Sequence, residues 1–144
     1  MSKPLADLHF ELLESEHSEV ASALSQQLVA FNRAHWDVKT REPLGATYKN
    51  AQGQLIAGVS GYTFGNWLHI ERLWVADSLR GQGLGAKLLA SIEAAALQRG
   101  CQYALLDTLE FQAKDFYLRA GYEVQWVQQH YPKTGSKYFM SKTL

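Results

Sequence analysis

A single cysteine, Cys101, stands in a chain of 144 residues, so no internal disulfide framework and no cysteine-rich zinc module is available. Neither charge sign is in excess: 14 Lys and Arg face 14 Asp and Glu, for a formal net charge of zero. That balance excludes the broad basic face from which general nucleic-acid binders draw their affinity, but it leaves room for a local anion site. No apolar run approaches the roughly 20 residues a membrane helix requires, and residues 1–7 lack the apolar centre of a signal peptide. The five histidines show no H-x-x-x-H spacing, so no metal site is expected. No internal repeat, low-complexity stretch or Pro/Gly/Ser-rich linker interrupts the chain. The expectation is a soluble, cytoplasmic protein with one domain over 1–144 and with neither nucleic acid nor membrane as a partner.

What is present suits a packed core. Apolar residues make up 47% of the chain and charged ones 19%, which argues against disorder. A folded chain of about this length buries roughly 68–70% of its unfolded surface.

Leu8, Phe10 and Leu12 alternate with His9 and Glu11, the pattern of a half-buried strand. Ser18 then suits the N-cap of a helix carrying Val20, Leu24, Leu28 and Phe31 along one side. Strands are predicted over 43–49, 55–64 and 67–75, separated by the turns Asn50-Ala51-Gln52-Gly53 and Gly65-Asn66. In the third of these, Leu68 and Ile70 share one face while His69 and Glu71 share the other. From Leu73 through Trp74 to Val75 the alternation is lost. Either the strand end is buried on both faces, or a β-bulge near 71–73 switches them.

The second half alternates element types. Leu84, Leu88, Ile92 and Ala95 trace a helical stripe that Arg99-Gly100 should stop. A short strand over 103–106 is expected to end at Asp107. Ala113, Phe116, Tyr117 and Ala120 share a face of a short helix closed by Gly121, and strands over 122–127 and 137–142 flank a turn with Pro132 and Gly135. A strand, helix, strand succession implies parallel pairing through a crossover. The fold class is therefore α/β (α+β): a mixed sheet with helices packed on it.

The loop Arg80-Gly81-Gln82-Gly83-Leu84-Gly85-Ala86 lies between a strand and a helix. Glycines at this spacing let backbone approach a ligand closely. The helix start adds unpaired N–H groups and a partial positive charge, which together suit a pyrophosphate. A Walker A loop is excluded because Ala86 stands where its second glycine belongs. The dinucleotide pattern G-x-G-x-x-[GA] does fit Gly81, Gly83 and Ala86, with Asp107 about 20 residues further on as a ribose ligand. Against it, residues 76–80 separate the strand from the first glycine. A second pattern, [QR]-x-x-G-x-[GA], fits Arg80, Gly83 and Gly85.

With this second pattern, the Leu73-Trp74-Val75 strand end and the run Ala113-x-x-x-Tyr117-x-x-x-Gly121-Tyr122, the sequence resembles the GNAT superfamily of acyl-CoA-dependent N-acyltransferases. The resemblance implies a mostly antiparallel central sheet with one splayed parallel strand pair and flanking helices. It implies acetyl-CoA as cosubstrate, with no metal, and transfer of the acetyl group to a primary amine that attacks the thioester directly. By the same resemblance, the cofactor-binding set is Leu73, Trp74, Val75, Arg80, Gly81, Gln82, Gly83, Leu84, Gly85, Ala86 and Phe116. Backbone at 73–75 holds the pantetheine arm and the thioester oxygen, and the loop holds the pyrophosphate.

Tyr117 matches the family's acid for the departing thiolate, although its spacing alone reads as core packing. Glu71 and His69, on one strand face before the acyl-binding segment, are the candidates to receive the amine's proton. The family often has Asn seven residues before the tyrosine, where this chain has Glu110, so Glu110 is left out of the cofactor set. Cys101 reads as a small buried hydrophobe. The resemblance leaves the acceptor open as a small-molecule or peptide amine; Trp36, Trp67, Tyr62, Trp126, His130 and Tyr131 are candidates for an aromatic acceptor wall, although isolated aromatics are more often core. Dimers are common in the family, so a homodimer is the assembly the resemblance suggests. The competing readings are a dinucleotide-binding module and a non-catalytic acyl-CoA-binding regulator.

Overall fold

The computed structural model of the chain describes residues 5–37 and 40–144. They fall into two units, Met1–Lys39 and Thr40–Leu144, and the β-sheet lies wholly in the second. In the first unit a 3-10 turn, Leu5–Asp7, is followed by residues 8–14 without regular secondary structure and then by α1 (Ser18–Arg33). The strand expected through Leu8, Phe10 and Leu12 is thus not formed. Alternation states which face a strand would bury, but a strand also needs a hydrogen-bonded neighbour, and among the described residues none pairs with this segment. His17, not Ser18, is the N-cap of α1; its carbonyl accepts from the Ala21 amide at 3.0 Å, and Ser18 is already helical.

The second unit runs β1 (Glu42–Lys49), β2 (Leu55–Phe64), β3 (Trp67–Val75), α2 (Leu84–Gln98), β4 (Tyr103–Leu109), α3 (Lys114–Arg119), β5 (Glu123–Gln129) and β6 (Ser136–Thr143). The six strands lie in the order β1-β2-β3-β4-β6-β5, and every neighbouring pair is antiparallel except β3 and β4. The first hairpin turn is closed by Asn50, whose Oδ1 accepts from the amides of Gln52 and Gln54 at 3.0 and 2.9 Å. Gly53 takes the left-handed backbone (φ +77°) that completes it.

Two features of β3 shape everything that follows. In its pairing with β2, Ser60 faces Arg72 and Gly61 faces Ile70, so Glu71 is an extra residue: the strand carries a β-bulge. Burial switches phase there. Leu68 and Ile70 are in the core before the bulge, and Leu73 and Val75 pack against it afterwards. The broken alternation around 71–73 is therefore a bulge, and the strand end is not buried on both faces, since Trp74 is exposed. The second feature is brevity. β3 and β4 pair through three rungs, Trp67↔Tyr103, Leu68↔Ala104 and His69↔Leu105, and beyond them no rung joins the strands.

β4 is longer than expected. β6 pairs with all of Tyr103–Leu109, a neighbour that local sequence does not reveal, and so Asp107 lies within the strand and not at its end. The core gathers Leu68, Ile70, Leu88, Leu89, Ile92, Leu106 and Met140 between the sheet and α2. Truncating any one of the buried leucines to Ala costs about 2–5 kcal/mol by the usual cavity arithmetic. The Arg99-Gly100 stop ends α2, with Arg99 as C-cap and Gly100 at φ +92°. Cys101 is buried, and burial pushes its thiol pKa up, as befits an inert packing group.

Candidate active site

Where β3 and β4 diverge, a cleft of about 870 Å³ opens. Such a volume lies toward the upper end of the roughly 300–1,000 Å³ typical of cofactor sites. Its walls are the strand ends Ile70 to Val75 and Leu106 to Thr108, its far end is the glycine loop with the start of α2, and α3 contributes Phe116, Tyr117 and Arg119.

The loop is built by backbone conformation. Gly81 and Gly83 adopt φ of +77° and +84°, and a Cβ at either would meet nothing within 4 Å, so the space beside them is open to a ligand. Gly83 is also the N-cap of α2, its carbonyl accepting from the Lys87 amide at 3.1 Å. The amides of Leu84, Gly85 and Ala86 precede the first intrahelical bond and remain donors. Gly85 has a packing task as well: a Cβ there would stand 3.4 Å from the Phe116 ring and 3.8 Å from Val75, so this glycine sets how closely α3 approaches α2. Arg80 lines the cleft while its Nε donates to the Val75 carbonyl at 3.0 Å and its guanidinium pairs with Asp77 at 2.8 Å. Those two contacts fix the strand end to the loop.

Tyr117 is held from three sides. Its ring packs edge-on against Phe116 and Tyr122, at 5.1 and 5.8 Å between centroids, and the Tyr122 amide donates to its carbonyl at 3.0 Å. Gly121, at φ +99°, makes that last closure possible. Thr108 and Gln112 set the start of α3: Gln112 Oε1 accepts from the Leu109 amide at 2.9 Å, and the Thr108 hydroxyl accepts from the Ala113 amide at 3.4 Å. Tyr117 as a whole is 6% exposed. Its hydroxyl has no hydrogen-bond partner among the described residues, and no buried side-chain polar atom there lacks one, so that hydroxyl is accessible through the cleft. Burial, reinforced by the negative charge of Asp107, pushes the Tyr117 phenol up to about 12.

Behind the tyrosine lies a polar cluster. The Tyr122 hydroxyl donates to Glu93 Oε2 at 2.7 Å and Lys142 Nζ donates to Glu93 Oε1 at 2.9 Å, linking α3's exit to α2 and β6. Burial and the Glu93 carboxylate raise the Tyr122 pKa well beyond the ordinary phenol value, so this hydroxyl stays a donor.

The structure thus brings most of the residues singled out from sequence into one cleft: Glu71, Leu73, Trp74, Val75, Arg80, Gly81, Gly83, Leu84, Gly85, Ala86, Phe116 and Tyr117. Gln82 is not among the lining residues. His69 is not either; it lines a separate depression of about 220 Å³ with Arg41, Tyr62, Phe64, Trp67 and Leu105. There its Nδ1 is 2.7 Å from the Tyr62 hydroxyl. Glu71 has Arg72 as its ion-pair partner at 3.9 Å, too long for a hydrogen bond, and its side chain is 41% exposed. Glu110 does not line the cleft. Leu79, Asp107, Phe111 and Arg119 do; sequence reasoning gave Asp107 a role only under the dinucleotide reading and the other three none. For Asp107 the available signal was its alternation with Leu106 and Thr108; for Arg119 it was a cation in the last turn of the helix that carries Tyr117.

A mostly antiparallel sheet with one short parallel pair is not the doubly wound parallel sheet of a dinucleotide-binding fold, so the Gly81, Gly83, Ala86 match and its Asp107 ribose ligand are set aside. The family model described as "Acetyltransferase (GNAT) family" matches residues 7–122. The chain belongs to that family and is an acetyltransferase. It is 34% identical over 115 residues to acetyltransferase Atu2258 of Agrobacterium fabrum, covering 80% of this chain and 84% of the relative. Over 101 residues it is 38% identical to the blasticidin-S acetyltransferase of Streptomyces morookaense, covering 69% and 74%. A crystal structure of an acetyltransferase from Bacillus cereus superposes with a TM-score of 0.84 at 31% identity, covering 93% of this chain and 98% of that one.

Proposed function

We propose that the protein transfers the acetyl group of acetyl-CoA to a primary amine, and that the splayed cleft ending in the glycine loop is where this happens. The cleft is the observation that carries the reading. Past His69 no strand among the described residues pairs with β3 on its β4 side, so an extended ligand arm has room to run beside it. The open space beside Gly81 and Gly83 lets phosphate oxygens reach the loop amides, with the start of α2 adding its dipole. These residues fit an acyl-CoA. When bound, acetyl-CoA supplies an activated thioester for the amine to attack.

The chain's own residues then have distinct tasks. Backbone amides of 73–75 and of the loop 80–86 orient the cosubstrate, and those near Leu73 stabilise charge on the acyl oxygen. Tyr117 holds a proton for the leaving sulfur, a task its raised pKa keeps it ready for across the physiological range. Glu71, lining the cleft, takes the amine's proton directly or through water. His69, held by Tyr62 outside the cleft, is the lesser candidate. The acceptor proposed is a small-molecule amine, a class to which the blasticidin-S relative's name points. A homodimer is retained as the proposed assembly, and the cytoplasm as the proposed location.

Purified protein incubated with acetyl-CoA and a broad amine panel should release free thiol, and CoA but not NAD should raise its melting temperature. Neither effect appearing would sink the reading. Glu71→Gln should reduce kcat/KM near neutral pH by about tenfold or more, and His69→Gln should reduce it less. The reverse ranking would transfer the base role to His69. Gly83→Ala forces a side chain into the left-handed region at the N-cap, which costs about 1 kcal/mol. Its KM for acetyl-CoA should rise about fivefold with kcat nearly constant. A fall in kcat with KM unchanged would remove the loop from cosubstrate binding.

A further inference from the structure

Asp107 lines the cleft, and the reaction as described gives it no task. It lies two residues past His69↔Leu105, the last rung between β3 and β4, on the diverging part of the strand. Alternation along β4 buries Ala104, Leu106 and Thr108, which turns Asp107 to the opposite face of the sheet with Leu105. Glu71 lines the cleft from the other diverging strand.

The Asp107 carboxylate is only loosely held. Its ion-pair partner is Lys137, with Nζ 3.9 Å away, beyond hydrogen-bonding distance. That ammonium sits over the Tyr131 ring at 4.4 Å and 5.9 Å from the Phe139 centroid. Among the described residues no N–H or O–H donates to Asp107, whose side chain is 42% exposed. A loose pair of this kind adds little to stability. A carboxylate also repels a cosubstrate bearing a pyrophosphate, so its place near the Tyr117 phenol suits the other reactant. Amines reach the site chiefly as ammonium ions at neutral pH.

We propose that Asp107 binds the acceptor: its carboxylate accepts a charge-assisted hydrogen bond from the ammonium group and holds it between the two diverging strands until Glu71 takes the proton. The proposal rests on the acetyl-transfer reading of the cleft. Because no described residue donates a hydrogen bond to Asp107, the acceptor displaces only solvent from the carboxylate on binding.

The test is calorimetric titration of tyramine, spermidine and blasticidin S into protein saturated with CoA, which cannot react. For whichever amine binds the wild type, Asp107→Asn should weaken binding by about tenfold or more. CoA affinity and melting temperature should stay unchanged, and Asp107→Glu should restore much of the amine affinity. Equal amine affinity in Asp107→Asn, a loss that falls on CoA, or a CoA-loaded wild type that binds none of the three amines overturns the proposal. Absence of CoA binding by the wild type counts against the transferase reading instead; the amines are then titrated into the free protein, where the same contrast decides on Asp107.

Discussion

Tyr117→Phe should lower kcat by about 10² to 10⁴, the range for removing a positioned general acid, while the affinity for acetyl-CoA stays within about twofold. The substitution takes away one oxygen and keeps the ring. The edge-on contacts to Phe116 and Tyr122 therefore persist, and the cleft wall keeps its shape. A drop in acetyl-CoA affinity with kcat intact would contradict the assignment.

The pH dependence adds a second check. With the phenol pushed up to about 12 by burial and then by Asp107, no falling limb of kcat from Tyr117 is expected below pH 10. Stability behaves accordingly. A tyrosine whose folded pKa lies above its unfolded value of 10 costs nothing below pH 10. It loses stability as pH rises from 10 toward 12, because the unfolded chain releases its proton first. Tyr117→Phe lacks that loss and should gain on the wild type across this window in pH-dependent denaturant melts.

The largest effect on stability is expected at Gly61→Ala. A Cβ there would collide with the His69 carbonyl oxygen and stand 3.0 Å from the His69 carbonyl carbon and 3.1 Å from the Ile70 Cα. All three atoms are backbone, so no side chain can swing aside, and relief requires prising β2 from β3 beside the bulge. A cost of about 3 kcal/mol or more follows, at the upper end for overpacking. In a chain of this size that lowers the melting temperature by about 10 °C. Gly58→Ala is the control, since its Cβ would lie no closer than 3.4 Å to any neighbour. If Gly61→Ala melted like the wild type, the close approach of the two strands would be wrong. Activity should suffer beyond the loss of folded protein, because the same bulge places Glu71 beside the cleft.

Local chemistry made much of this legible in the sequence. Gly81 and Gly83 announced the open glycine loop before α2, Arg99-Gly100 and Gly121 marked helix ends, and the lost alternation after Glu71 pointed to the bulge. The register with Gly61 then chose between the two readings of that pattern. What stayed hidden depends on partners remote in sequence. Residues 8–12 have the rhythm of a strand but no neighbour among the described residues, and β4 runs on past Asp107 because β6 lies beside it. Asp107 looked like the end of that strand for the same reason. His69 and Glu71 looked equivalent from their shared face, yet they line different hollows, and the extra residue at the bulge makes the difference. Gly85 was read only as part of the glycine loop, and its missing side chain also makes way for Phe116, a neighbour remote in sequence.

Helix α2 touches the α3 segment at two levels, through Gly85 against Phe116 and through Glu93 to Tyr122. Its first turn holds the unpaired amides beside the glycine loop and its third anchors the chain just past Tyr117, the proposed proton donor, so the helix works as a ruler. At 1.5 Å per residue, the span from Gly83 to Glu93 is about 15 Å, and it is fixed by residue count. Adding or removing one residue inside that span would rotate Glu93 by about 100° away from Tyr122 without disturbing the loop. Separation of the glycine loop from the Tyr117 anchor is thus written in the number of residues between them, and many different side chains along the outer face of the helix would preserve it equally well.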